Sequence, residues 1–339
     1  MRGIAAWMVL TSHYSHLMTP SPSLLQFLWT GVDLFFVISG FVFGPAIFAG
    51  SFPIKPYLIK RLFRIYPLYL FSLLLYFLIT PDHPDKPLYF VKHLLFLGTT
   101  SSAQEAFFFN PAYWSLPVEI EYYLLLPILA WIVVRYVAGL WWILALFLII
   151  RFTIIAGATP FSIPEPNFLG ILKIHIPGIL IEFLVGVVIY WSYQRFGLTA
   201  SRHWSLAVLA GGLLLWTGLG LFFIDQGDQG INKNLWLRAY FSFLCAVSYG
   251  LILFGLLTLI RGQNALFILA AALLGNLSYG VYLFHTLILR IHESTGISIP
   301  GPVAYLLCAS AVLVLSALAH HLIEKPAREF GRGIARKWS

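Results

Sequence analysis

The feature that most limits what this chain can become is a series of apolar stretches running from one end to the other. Stretches of about 20 residues, enough to cross a bilayer core as helix, fall near residues 3–19, 27–49, 58–80, 116–134, 138–157, 175–193, 204–224, 236–259, 266–290 and 302–323. Charged residues make up 10% of the chain, against roughly 25% in a typical soluble domain. With 60% hydrophobic residues and a mean hydropathy of +0.85, the apolar surface exceeds what one water-soluble core of 339 residues can hide, so it must face lipid. The reading is an all-α, multi-pass membrane bundle of ten spans. A shorter apolar run from Leu88 to Leu97, carrying Lys92 and His93, reads as a re-entrant or interfacial helix.

An even number of spans leaves both ends on one side. Under this arrangement fourteen of the 21 Lys and Arg residues, among them Arg2, Lys55, Lys60, Arg61, Arg64, Arg135 and Arg328, lie at the same ends of the spans. Basic residues gather on the cytoplasmic side, so both termini are expected there, and the net charge of +8 needs no nucleic acid partner. The largest outer loops are expected at 81–115, 158–174 and 225–235, so residues 1–339 form a single membrane domain, in a bacterial inner membrane. The first span lacks a small-residue cleavage site before Thr19–Ser23 and is expected to be retained. Cys245 and Cys308 are too few for a disulfide framework or a thiolate metal site, so no metal is expected.

An ionisable group inside a span is costly unless paired or wet, which makes each a functional candidate. Here they are His13, Asp33, Glu119, Glu121, Arg151, His175, Glu182, His285, His320 and His321. Arg2 and His13 are eleven residues apart, so they share a helix face and differ in height by about 16 Å. That spacing predicts Arg2 at the cytoplasmic mouth and His13 near mid-membrane. Asp33 lies about 9 Å below the outer start of its span and so reaches a similar depth. A carboxylate beside an imidazole fixes its tautomer and favours its charged form, as a general base requires. Spacing alone equally allows a core histidine and a carboxylate bonded to a neighbouring helix. Gly40 and Gly44, on the Asp33 face, read as a packing stripe.

Arg61 and Arg64, at i and i+3, can grip phosphate together or anchor lipid headgroups. Glu119 either complements a positive helix end or faces the outer cavity, with Tyr123 one turn below. Ser278, Tyr282 and His285 form one polar stripe on an otherwise apolar span, of the kind that glues helices together. Arg151 and Glu182 are candidates to pair.

Six collinear segments resemble the acyltransferase-3 family of integral membrane acyltransferases. They are Arg2-Gly3-Ile4-Ala5-Ala6 through His13, Gly31-Val32-Asp33 through Phe41, Arg61 to Arg64 ahead of Pro67, Trp114-Ser115-Leu116 with Glu119 and Tyr123, Ser278-Tyr279 through His285, and Glu324-Lys325-Pro326-Ala327-Arg328. The resemblance implies O-acyl transfer, commonly of acetyl from acetyl-CoA, to a hydroxyl of a carbohydrate, glycolipid or other extracytoplasmic acceptor. It makes His13 the essential membrane histidine, Arg2 its paired arginine, and Arg61 with Arg64 the family's basic pair. With no SGNH-type hydrolase domain appended, the resemblance is to the stand-alone members. Acyl-CoA is then a donor substrate, and no cofactor is bound permanently. Arg2, Arg61 and Arg64 are expected to hold its phosphates, and His13, Asp33 and Glu119 to form the catalytic set. The rival class is a proton-coupled transporter or flippase, with the same intramembrane histidine and carboxylates as a proton pathway.

Overall fold

The computed structural model describes residues 1–18, 23–49, 53–158, 168–197, 199–260 and 265–338, without the side chains of 137–138 and 265–273. Arg261 and much of the expected loop at 158–174 lie outside the described residues. Of the described residues 87% are helical and none forms a strand. In order the helices are α1 (Arg2–His13), α2 (Leu24–Phe27), α3 (Gly31–Phe48), α4 (Ile54–Ile79), α5 (Lys86–Leu94), α6 (Ala103–Phe107), α7 (Ser115–Arg135) and α8 (Val137–Gly157). They continue as α9 (Phe168–Leu172), α10 (Ile176–Ser192), α11 (Arg202–Lys233), α12 (Leu235–Leu259), α13 (Ala265–Ser294), α14 (Gly301–Ala319) and α15 (Lys325–Arg336).

Eight stretches among the described residues, built on α3, α4, α7, α8, α10, α11, α12 and α14, are long and apolar enough to cross a membrane. The ten expected spans include two more, α1 and α13. With 12 residues, α1 is only about 18 Å long, while α13 has 30 residues but begins among side chains outside those described. These two run parallel and in contact: Gly3 lies on Leu274, and His13 meets His285. Gly227, at φ 60°, breaks α11 near the point where the sequence suggested a loop.

Glycines set how closely the helices approach. A Cβ on Gly40 would run into the Phe183 carbonyl, and one on Gly186 into that of Val37, so α3 and α10 touch backbone to backbone. Gly31, at the start of α3, instead faces Ala5, Met8 and Val9 of α1. The segment 81–115, expected as an outer loop with a short helix at Leu88–Leu97, is packed into the bundle in part, with Leu88, Val91, Leu95 and Leu97 left exposed. Its helix α5 has Pro87 in the first turn and Lys92 and His93 in the last, where each suits the helix ends. Phe109 and Asn110 are fully buried. The Tyr69 hydroxyl donates to the His93 carbonyl at 2.7 Å, and the Asn110 amide to that of Leu283 at 3.1 Å.

Beyond α14 the chain widens into a π-helical turn at His320–Glu324 and continues as α15. This helix runs antiparallel along the first half of α4, with Gly331 against Phe63 and Trp338 under Lys55.

Candidate functional site

Helices α1, α3, α4, α7, α13 and the α14–α15 junction enclose a cavity of about 120 Å³. One end is ionic, with Arg2, Arg64, Arg328, Glu119 and Glu324 in its wall. The other is formed by Phe35, Ser115, Ser278 and Tyr282.

Arg2 opens α1 and donates to Ser39 at 3.4 Å. Its charged neighbours are Arg64, Glu119 and Arg61. The sequence placed this group at the cytoplasmic mouth, but it is recessed. Arg64 is ten residues into α4, and Ser39 nine residues short of the end of α3, which puts the cluster about 13–15 Å inside those helix ends. Arg61 and Arg64 do not act as one fork. Arg64 lines the cavity, whereas the Arg61 guanidinium lies over the rings of Phe43, Tyr57 and Tyr123, at 4.8, 5.6 and 5.7 Å. Its Nε and Nη1 are buried and have no hydrogen-bond partner among the described residues, so ring contact is what holds it.

Glu119, read as facing an outer cavity, instead joins the arginine cluster, where it accepts from the Tyr123 hydroxyl one turn along α7. Its helix starts deep, because the buried 103–114 segment precedes it, and so Glu119 reaches the level of Arg2.

Asp33 is also not where its depth suggested. No hydrogen bond or ion pair joins it to His13 among the described residues. Its charged neighbours are Glu182 and Arg151. The reasons are depth and rotation. Ser12, next to His13, donates to the Gln26 carbonyl ahead of α3, so Asp33 lies nearer the Arg2 end than His13 by about a turn and a half. Seven residues before Gly40, it shares the face packed on α10, while Gly31, about 200° away, faces α1. Arg151 and Glu182 do pair, at 2.7 Å, and Arg151 also donates to the carbonyls of Gly178 and Ala239. Two further groups are paired as well: His175 with Glu121, and His320 with Glu324 at 2.9 Å.

The partner of His13 is His285. Nδ1 of His13 lies 3.2 Å from Nε2 of His285 and 3.0 Å from the Val9 carbonyl, with the ring centroids 4.8 Å apart. His285 is fully buried, and His13 is half-buried. The polar stripe on α13 divides its work. The Tyr282 hydroxyl is 2.6 Å from Ser115 Oγ and donates to the Ala112 carbonyl at 2.8 Å, which closes the cavity end. Ser278 donates to the Gly275 carbonyl and lines the cavity. His285, one turn beyond Tyr282, reaches α1.

Sequence reading missed the role of the C-terminal motif. Arg328 donates to Glu324 at 3.4 Å, and both residues enter the cavity wall. A Glu and an Arg at i and i+4, just after the last apolar run, were the available signal. No cluster of three or more His, Cys, Asp or Glu side chains suited to a metal ion occurs among the described residues.

The model of a family described as an acyltransferase domain, the acyltransferase-3 family, matches residues 1–321. A protein of Acidianus two-tailed virus named "Putative acetyltransferase ORF330" is 26% identical over 309 residues, 90% of this chain and 86% of the relative. No solved structure matches the chain. A match over nearly the whole length, which takes in Arg2, His13, Arg64, Glu119 and His285 together, means that the chain belongs to the acyltransferase-3 family and is an acyltransferase.

Proposed function

We propose that this protein is an integral membrane O-acyltransferase that moves an acyl group, acetyl in our reading, from cytoplasmic acyl-CoA to a hydroxyl of a carbohydrate or glycoconjugate on the other side. The observation that carries this reading is the cavity that runs from three recessed arginines to within one helical turn of the His285–His13 pair. Acyl-CoA is highly charged at its nucleotide end and thin and uncharged along its pantetheine arm. Arg2, Arg64 and Arg328 suit the phosphates, since guanidinium groups bind them in planar, charge-assisted pairs. The arm then needs no charged partner over the roughly 16 Å rise from Arg2 to His13.

In this reading His13 accepts the proton of the acceptor hydroxyl as its oxygen attacks the thioester carbonyl. The C–O bond forms, the C–S bond breaks, and the proton passes to the departing thiolate. Ten spans with both termini cytoplasmic, in a bacterial inner membrane, put the arginine end on the side where acyl-CoA is made. The proton-pathway alternative is disfavoured by the positions of its members. Asp33 lies beside Glu182 and Arg151, Glu119 lies with the arginines, and no hydrogen-bonded chain links either to His13 among the described residues.

The test is purified protein in liposomes with labelled acetyl-CoA and a panel of glycans. Release of CoA that depends on a glycan and labels it supports the reading. Proton uptake coupled to substrate, without CoA release on any glycan, would overturn it.

A further inference from the structure

We infer that His285 is the positioning residue that fixes the tautomer of His13 and steadies the positive charge that His13 gains when it takes a proton. This rests on the acyl-transfer reading for its catalytic meaning, although the hydrogen-bond assignment stands on geometry alone.

The argument follows the protons from the backbone outward. Nδ1 of His285 lies 2.9 Å from the Tyr282 carbonyl and 3.2 Å from the Val281 carbonyl. A carbonyl oxygen can only accept, so this nitrogen carries the hydrogen. A neutral imidazole has one such hydrogen, and Nε2 of His285 is left with a lone pair. A doubly protonated ring would instead be a fully buried cation with no carboxylate hydrogen-bonded to it among the described residues, which the surroundings do not support.

The lone pair on His285 points at Nδ1 of His13, 3.2 Å away, and the other partner of that nitrogen is the Val9 carbonyl at 3.0 Å. Both partners accept, so the His13 hydrogen sits on Nδ1. Nε2 of His13 is therefore the basic nitrogen available to a hydroxyl. Both rings lean back onto the preceding turn of their own helices, His13 on Val9 and His285 on Val281, as helical side chains do. The Tyr14 hydroxyl donates to the His285 carbonyl at 2.7 Å and ties the two helices at this level.

Two consequences follow. When Nε2 of His13 takes a proton, the Nδ1–H bond to His285 becomes charge-assisted and strengthens. That gain exists only once the proton has moved, so it acts on turnover and not on substrate binding. The proton also cannot travel further through His285, whose other nitrogen already holds a hydrogen bound to two helix carbonyls. It waits on His13 until the departing thiolate takes it.

The test uses the full chain in proteoliposomes. His285→Leu fills similar space but offers no lone pair, and should lower kcat on the order of ten- to a hundredfold, as expected for loss of a hydrogen bond to a charged group, with KM for donor and acceptor unchanged. His285→Gln presents a side-chain oxygen to His13 and should recover part of the loss. Heteronuclear NMR of histidine-labelled wild-type protein should find the hydrogen of both rings on Nδ1. A wild-type kcat in His285→Leu, a Gln variant as slow as Leu while both still bind donor, or a wild-type His13 protonated on Nε2 would each overturn the inference. If no acceptor is ever acylated, the NMR experiment still decides the tautomers, so failure of the acyl-transfer reading is told apart from failure of this one.

Discussion

Replacing His13 by alanine is expected to slow acyl transfer by about 10² to 10⁴, the usual worth of a general base, while donor binding survives; steady-state kinetics in proteoliposomes together with a donor-binding measurement checks it. The arginines separate into two kinds. Arg64 lines the cavity, and a charge-assisted phosphate contact is worth about 1.5–3 kcal/mol, so Arg64→Ala should raise the KM for acyl-CoA about tenfold or more. Arg61 rests on three rings and points no free fork into the cavity. Each cation–π contact contributes about 0.5–1 kcal/mol at an exposed site and more when desolvated. Arg61→Ala should therefore lower thermal stability more than it raises donor KM. A KM rise at Arg61 as large as at Arg64 would show that the ring contacts are not its main role.

Among the helices, the α3–α10 contact is the tightest constraint on the site, because it fixes which face of α3 looks toward α1. Gly40→Val would place a branched side chain where the Phe183 carbonyl already lies, and overpacking of this kind costs roughly 1–3 kcal/mol. The expected outcome is a lowered unfolding temperature and a loss of turnover as the helices part. Gly218→Ala is the control: it sits on the exposed face of α11 with nothing near its Cβ position, and Ala outdoes Gly in a helix by up to about 1 kcal/mol. Helix α15 has a different part. It lies past residue 321, where the family match stops, yet its start supplies Arg328, and the turn before it Glu324, to the cavity.

The proposed orientation of the whole bundle rests on the distribution of cations. Under the ten-span reading fourteen of the 21 basic residues fall on one side, so a cysteine placed at Lys55 or after Ala335 should resist impermeant thiol reagents applied outside intact cells. Cys245 and Cys308 are buried and give little background. Strong outside labelling at either position would invert the topology, and with it the side from which donor enters. In the proposed reading a charged donor would meet Arg2 and Arg64 about 13–15 Å inside the ends of α3 and α4.

Much of this was legible in the chain itself. Length and apolarity of a run are local properties, and hydrocarbon tolerates backbone only as closed helix or barrel, so the all-helical bundle and the membrane-length runs could be read from the sequence alone, whereas the pairing of Arg151 with Glu182 was there only a candidate. The collinear motifs carried the family. Which faces meet was a different matter. Depth counted from the ends of apolar runs does not show where packed helices meet, and each residue turns a helix by about 100°, so Asp33 lies nearer the Arg2 end than His13 and looks in another direction. Gly31 turns one side of α3 toward α1, Gly40 turns the other toward α10, and Asp33 goes with Gly40. The parallel packing of α13 on α1 brings His285, 272 residues along the chain, against His13. Contact between faces depends on how every neighbouring helix packs, and only the tertiary structure contains that information.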